Sequence, residues 1–178
     1  FAAVSGPPLV TGATGFAGSH LVDQLLGEHE RLAAWGHAGG RRLPDAPGDR
    51  VDWSSVDLLN IEDVGRALAT VKPSAIFHCA GMADVHRASR ESTTALRVNA
   101  LGTHNLMEAV RRCDLAIPVL VTSSALVSRP SPNAIDEHAV IGPSSPYGIS
   151  KLAQEMAAAR ASWCRVFLAR AFNHAGPV

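Results

Sequence analysis

The stretch L-V-T-G-A-T-G-F-A-G-S-H-L-V-D-Q-L-L, from Leu9 to Leu26, decides the fold. Leu9 and Val10 read as the end of a buried strand. Gly12, Gly15 and Gly18 follow at regular intervals. Apolar residues then recur at Phe16, Ala17, Leu21, Val22, Leu25 and Leu26 with helical spacing. A strand that turns through glycines into a helix makes a seat for a diphosphate, because the first helical turn presents unpaired N–H groups and a partial positive charge. Gly12 permits the tight turn, Gly15 leaves room for the anion, and Gly18 lets the helix lie close on the sheet. Thr14, Phe16 and Ala17 belong to the same loop and helix start and are expected at the same ligand. Taken alone, the triplet also fits an ordinary strand–helix turn, so the rest of the chain has to decide.

Working outward, short buried strands alternate with amphipathic helices. Further strands are expected at Arg31–Trp35, from Val51 towards Leu59, at Ala75–Cys79, at Pro118–Ser124 and at Arg165–Arg170. A helix over Ile61–Val71 carries Ile61, Val64, Leu68 and Val71 on one face and ends at Lys72-Pro73. A long helix is expected over Thr93–Cys113, with Leu96, Val98, Leu101, Leu106, Met107 and Val110 apolar, and another after Tyr147. This alternation predicts a doubly wound, mostly parallel α/β sheet of about six strands, with helices on both faces. Residues 1–178 form one dinucleotide-binding (Rossmann-like) domain in this reading, with 1–8 as a flexible lead-in.

The 178 residues are 47% hydrophobic, enough for a sizeable core. Lys and Arg total 16 and Asp and Glu 16, so no basic excess points to nucleic acid. No apolar run is long enough to span a membrane, and the first residues lack the form of a signal peptide. Cys79, Cys113 and Cys164 are widely spread and read as reduced, mostly buried thiols of a cytoplasmic protein. No His or Cys spacing suits a metal, and none is expected.

Tyr147 and Lys151 stand four apart and would share one side of a helix. A phenol ionises near pH 10, and an adjacent ammonium favours the phenolate. Such a group can exchange a proton with a hydroxyl near neutral pH. Tyr147 is the only tyrosine of the chain; an exposed tyrosine beside a surface lysine is the plainer alternative. Ser124, ending its strand, can hydrogen-bond the same reacting oxygen, with Thr122 and Ser123 as competitors. At the end of the second strand no acidic residue lies between Trp35 and Pro44, whereas Arg41 and Arg42 stand nearby. A guanidinium pairs well with a 2′-phosphate, which favours NADP(H) while leaving NAD(H) open. Solvated loop arginines are the alternative.

The glycine loop T-G-A-T-G-F-A-G-S-H-L, the strand-end serine and Tyr147-x-x-x-Lys151 follow the order and gaps of the short-chain dehydrogenase/reductase superfamily. The chain resembles its extended branch, the nucleotide-sugar epimerases and dehydratases, from Leu9 to Pro177. The resemblance implies that Tyr147 moves the proton, Lys151 holds the cofactor ribose and tunes Tyr147, and Ser124 polarises the substrate carbonyl. It implies that Asp57 and Leu58 meet the adenine and that Ala80 and Gly81 floor the cofactor cleft. Met82–Arg90 would be a loop near the sugar nucleotide, with Ala88 in place of the usual serine, and Asn99 a buried supporting amide. A-F-N-H-A-G-P, from Ala171, is similar to the R-P-F-N-H-x-G-P of the GDP-mannose dehydratase and keto-deoxymannose reductase branch. That implies Asn173 at the substrate diphosphate and His174 beside the substrate, with a turn-capping role as the alternative for His174. Leu126 stands where dehydratases carry the glutamate for water elimination, which argues against a dehydratase.

The resemblance therefore implies NAD(P)-dependent reduction of the keto group of 4-keto-6-deoxy-GDP-mannose to GDP-rhamnose. A nucleotide-sugar 4-epimerase and a non-catalytic dinucleotide-binding module are the alternatives. A homodimer through a four-helix contact, formed by Thr93–Cys113 and the helix after Tyr147, is also implied. On this resemblance the C-terminal substrate domain of the family is expected to be largely absent from this chain.

Overall fold

A computed structural model describes residues 6–37 and 49–175. Arg41 and Arg42, expected at the ribose end of the second strand, lie outside the described residues. The strands are β1 (Leu9–Thr11), β2 (Leu32–Gly36), β3 (Val51–Ser55), β4 (Ile76–His78), β5 (Val119–Ser124) and β6 (Val166–Ala171). They pair in the order β3-β2-β1-β4-β5-β6, every pair parallel, as expected of a doubly wound sheet. The chain leaves β1 in one direction and returns to β4 on its other side. The crevice beyond the carboxyl ends of β1 and β4 is therefore where such a sheet takes a ligand.

The helices are α1 (Phe16–Leu26), α2 (Ile61–Val71), α3 (Val85–Arg90), α4 (Ser92–Leu96), α5 (Gly102–Arg112) and α6 (Pro146–Ala159). Alternation along the strands splits the core in two. Val10, Leu32 and Ala34 cluster with Val22 and Leu25 of α1. Leu9, Ala33 and Trp35 cluster on the opposite side with Leu68 of α2, Leu106 and Val110 of α5 and Ala158 of α6. Helix α2 begins at Asn60, whose side chain accepts from the N–H groups of Glu62 and Asp63 at 3.1 and 3.2 Å. It ends at Lys72, in the left-handed region at φ 45°, just before Pro73. Asn60 is thus the cap.

Several expectations are corrected. Pro7 and Pro8 are no free lead-in: Pro8 O accepts from Ala33 N at 2.9 Å and Pro7 O from Ser74 N at 3.3 Å. Residues 85–90 form α3 rather than a loop, because Asp84 Oδ1 accepts from Arg87 N at 2.8 Å and nucleates the turn. Ala88 is buried in a cluster with Met82, Ala95 and Tyr147. The long helix over 93–113 is interrupted by a π-helical turn, Arg97–Leu101. Its inward side upstream of Leu106 carries Ala95, Asn99, Gly102 and Thr103, while Leu96 and Leu101 are exposed. Small and polar residues face inward there because their neighbour, α6, presents a polar stripe of its own. The three cysteines are free and half-buried.

Candidate active site

The glycine loop has the geometry of an anion seat. Gly12 lies at φ +67°, and a Cβ there would stand 2.6 Å from Ala80 Cα, so β1 and the segment after β4 pass too closely for a side chain. A Cβ on Gly18 would run into the Gly12 carbonyl, which holds α1 hard against the loop. Gly15 is different: its Cβ would meet only Gly12 O, at 3.3 Å. The space beside it is open, at a helix start with no side-chain cap and no acidic residue in the first turn. The N–H groups of the first turn therefore want an outside acceptor. Thr14 packs against the end of β2, where a Cβ on Gly36 would lie 2.9 Å from Thr14 Cγ2. A dinucleotide diphosphate fits these features.

Across the crevice, α6 is set by Ser145, whose hydroxyl accepts from Gly148 N at 3.1 Å, and by Pro146 in its first turn. Its buried stripe holds Tyr147, Ser150, Lys151, Gln154 and Glu155, an inward face that is polar rather than apolar. The three hydroxyls at the end of β5 have separate tasks. Thr122 Oγ1 donates to His78 O at 3.1 Å, and Ser123 Oγ donates to Glu155 Oε1 at 2.5 Å. Ser124 Oγ accepts from Leu126 N at 3.2 Å and stands near enough to the Tyr147 phenol to draw its pKa downward. Of the three, Ser124 is the one that reaches Tyr147.

Burial pushes the Tyr147 phenol up from its ordinary value, against a smaller downward pull from Ser124. The Lys151 ammonium, expected to tune the phenol, is hydrogen-bonded to neutral groups in this arrangement. Lys151 Nζ donates to Thr122 O at 2.8 Å and to Gln154 Oε1 at 2.6 Å. Burial pushes Lys151 down to about 8, against weaker support from the Glu155 carboxylate. Keeping an ammonium there costs on the order of 3 kcal/mol relative to water. An apolar side chain would avoid that cost, so the charge points to chemistry rather than packing.

Ala17, Gly81, Ser124, Tyr147, Lys151, Asn173 and His174 line one open cleft of about 820 Å³. Leu126 lines it too. Gly12, Thr14, Gly15, Phe16 and Gly18 make up the loop and helix start around Ala17. Ala80 precedes Gly81 in the segment after β4. Asp57 and Leu58 follow β3 and stand apart from the cleft lining. Asp57 is exposed and accepts from Leu59 N at 2.9 Å. Leu58 is held by its carbonyl, which accepts from Asn105 Nδ2 at 2.9 Å. Among the described residues, no group of His, Cys, Asp and Glu could hold a metal ion.

Residues 8–178 match the sequence model of the NAD dependent epimerase/dehydratase family. The chain belongs to this family. It is 33% identical over 177 residues to the GDP-6-deoxy-D-mannose reductase of Pseudomonas aeruginosa, covering 94% of this chain and 52% of that protein. It is 31% identical over 153 residues to a UDP-glucose 4-epimerase of Mycolicibacterium smegmatis, covering 83% and 49%. The crystal structure of UDP-glucose 4-epimerase from Brucella ovis in complex with NAD superposes with a TM-score of 0.82 at 27% identity, covering 95% and 52%. The chain thus spans about half the length of these relatives.

Within this epimerase/dehydratase chain, sequence reasoning missed a set of buried polar partners. Glu155 is clasped by Arg170, with Nε to Oε1 and Nη2 to Oε2 both at 2.8 Å. Burial raises the Glu155 carboxyl, but Arg170, Ser123 and Lys151 together hold it below its ordinary value. Asn99 was expected as a buried supporting amide, but not its partners: Oδ1 accepts from Met82 N at 2.7 Å, and Nδ2 donates to Met82 O and to Ser150 Oγ at 3.2 and 2.9 Å. A Cβ on Gly81 would come within 2.7 Å of that oxygen. The π-helical turn is what brings Asn99 inward, as such turns often do beside functional sites. Gln154 and Glu155 lie three and four positions after Lys151, so the helical period that joined Tyr147 to Lys151 could have found them.

Proposed function

We propose that this chain forms the dinucleotide-binding and catalytic half of an NAD(P)-dependent oxidoreductase acting on a nucleotide sugar. One observation carries the reading. A bare, glycine-lined helix start and a buried Ser124–Tyr147–Lys151 group belong to the same crevice at the carboxyl ends of the strands. The Gly15, Phe16, Ala17 and Gly18 backbone would hold the diphosphate, Asp57 and Leu58 the adenine, and Lys151 a ribose, beside Ala80 and Gly81. A nicotinamide bound there supplies hydride exchange. The chain supplies the proton: Tyr147, kept protonated by burial, gives it to the substrate oxygen, while Ser124 hydrogen-bonds that oxygen and orients it. Asn173 and His174, exposed on the cleft wall, would meet the sugar nucleotide.

The finer reaction is reduction of 4-keto-6-deoxy-GDP-mannose to GDP-rhamnose, supported by the 33% identity to a GDP-6-deoxy-D-mannose reductase and by Phe172-Asn-His-Ala. NADP(H) is favoured by Gly36 and His37, which leave the end of β2 without a carboxylate. A homodimer is supported by the exposed Leu96 and Leu101 beside the exposed Ile149 and Met156 of α6. The test is NADPH consumption with the GDP-linked keto sugar, lost in Tyr147→Phe. Undiminished turnover in Tyr147→Phe would refute the proton-donor role. A second reading, a UDP-sugar 4-epimerase, is favoured by the 31% identical epimerase relative. Sugar interconversion without net NADPH consumption would select it.

A further inference from the structure

The floor of the cleft is crossed by a chain of side-chain hydrogen bonds that none of the roles above requires. Lys151 Nζ donates to Gln154 Oε1 at 2.6 Å, and Gln154 Nε2 donates to Thr103 Oγ1 at 3.0 Å. Thr103 Oγ1 lies 2.8 Å from His78 Nε2, and His78 Nδ1 lies 2.7 Å from Thr11 Oγ1. Thr11 also accepts from Ala80 N at 3.3 Å and immediately precedes Gly12. All five side chains are buried.

The direction of the chain follows from chemistry. An ammonium only donates, so Gln154 must turn its oxygen to Lys151 and its NH2 to Thr103. Thr103, already accepting, gives its own proton to His78 Nε2. The ring then keeps a single proton, on Nδ1, for Thr11. Burial first, and the Lys151 charge second, push His78 down to about 3, which agrees with a neutral ring. We propose that Gln154 is a positioning residue for Lys151, fixing where the ammonium stands and tying it through Thr103 and His78 to Thr11 at the root of the glycine loop. A residue that merely filled this space would not need both ends of its amide engaged.

The groups facing Lys151 leave Gln154 the decisive side-chain acceptor. Cys79 and His78 approach from the end of β4, and Tyr147 and Glu155 from α6 itself. Burial pushes the Cys79 thiol up to about 11, so it brings no charge near neutral pH. Glu155 is charged, but both its oxygens are taken by Arg170. Thr122 O is a backbone group that no side-chain substitution removes. The role given to Gln154 rests on reading Lys151 as the ribose-holding lysine of the proposed function, but its test does not.

Lysine occurs only at positions 72 and 151. Carbon-13 labelling at lysine Cε therefore gives two signals, with exposed Lys72 as the reference. In a pH titration of the protein without any ligand, Gln154→Met is expected to lower the Lys151 midpoint by about one pH unit, the worth of a hydrogen bond to a charged group. Gln154→Glu is expected to raise it by at least about as much. Thr103→Val frees the amide to swing and lowers the midpoint by less than Gln154→Met does. Should Gln154→Met fail to fold, Gln154→Glu and Thr103→Val decide. A Lys151 midpoint unchanged in folded Gln154 variants would overturn the proposal. An unchanged midpoint in Thr103→Val, with the Gln154 variants shifted, would overturn the tie to Thr11. A protein that binds no dinucleotide would refute the proposed function while leaving this titration standing.

Discussion

Helices α1 and α2 are both 11 residues long, yet they begin in opposite ways. Asn60 caps α2 through two N–H groups, and Glu62 and Asp63 place negative charge in its first turn. Helix α1 begins at Gly15 with no side-chain cap and no acid. A helix start leaves several donors unpaired. In α2 the chain answers them itself, as a purely structural helix does. In α1 it leaves them open beside a cleft, which is how a protein reserves a helix start for an anion from outside. The buried stripes repeat the lesson. Helix α2 buries Val64 and Leu68, whereas α6 buries Tyr147, Ser150, Lys151, Gln154 and Glu155. Apolar burial and complete capping mark scaffold; buried polar groups and a bare terminus mark the site.

The contrast can be broken most forcefully at the cleft. Tyr147→Phe is expected to lower turnover by about 10²–10⁴-fold while leaving thermal unfolding within a few degrees of wild type. Arg170→Met leaves the Glu155 carboxylate buried and unpaired, and is expected to cost about 3–5 kcal/mol in denaturant unfolding. His78, buried at the end of β4, gives a pH signature. Its folded pKa of about 3 lies well below the ordinary imidazole value of 6.5, because burial disfavours the charged ring. Between these values the unfolded chain binds the proton and the folded chain does not, so stability falls as pH falls through this window. The slope is up to about 1.4 kcal/mol per pH unit, and His78→Asn is expected to flatten it in unfolding curves from pH 6.5 to 4. At the small end, Asn60→Ala is expected to cost about 1 kcal/mol of stability and leave dinucleotide affinity untouched.

Most of the scaffold was legible because its rules are local. The three glycines, the period-two strands and the apolar stripe of α2 each state their conformation within a few residues. The π-helical turn was not legible: nothing in R-V-N-A-L marks an extra residue per turn, and the apolar Leu96 and Leu101 suggested the wrong inward face. The helix α3 was missed because its start depends on Asp84 as a cap, while the resemblance pointed to a loop. In the site, Ser124, Tyr147 and Lys151 were visible as a spaced motif. The Thr11–His78–Thr103–Gln154 chain was not, since its members come from four elements that meet only after folding. The partners of the Lys151 ammonium went unread for the same reason, because Thr122 is distant in sequence and Gln154 was not weighed.

The central claim is that the bare start of α1 holds a diphosphate, and Gly15→Asp tests it most directly. Gly15 sits at φ −86° and ψ 170°, extended backbone that aspartate adopts readily as a cap. Calorimetric titration of NAD+ and NADPH into both proteins is the measurement. The account predicts that wild type binds one dinucleotide per chain. It also predicts that folded Gly15→Asp, slightly more stable, binds at least about 100-fold more weakly because its carboxylate repels the diphosphate. Equal affinity in the two proteins would contradict it.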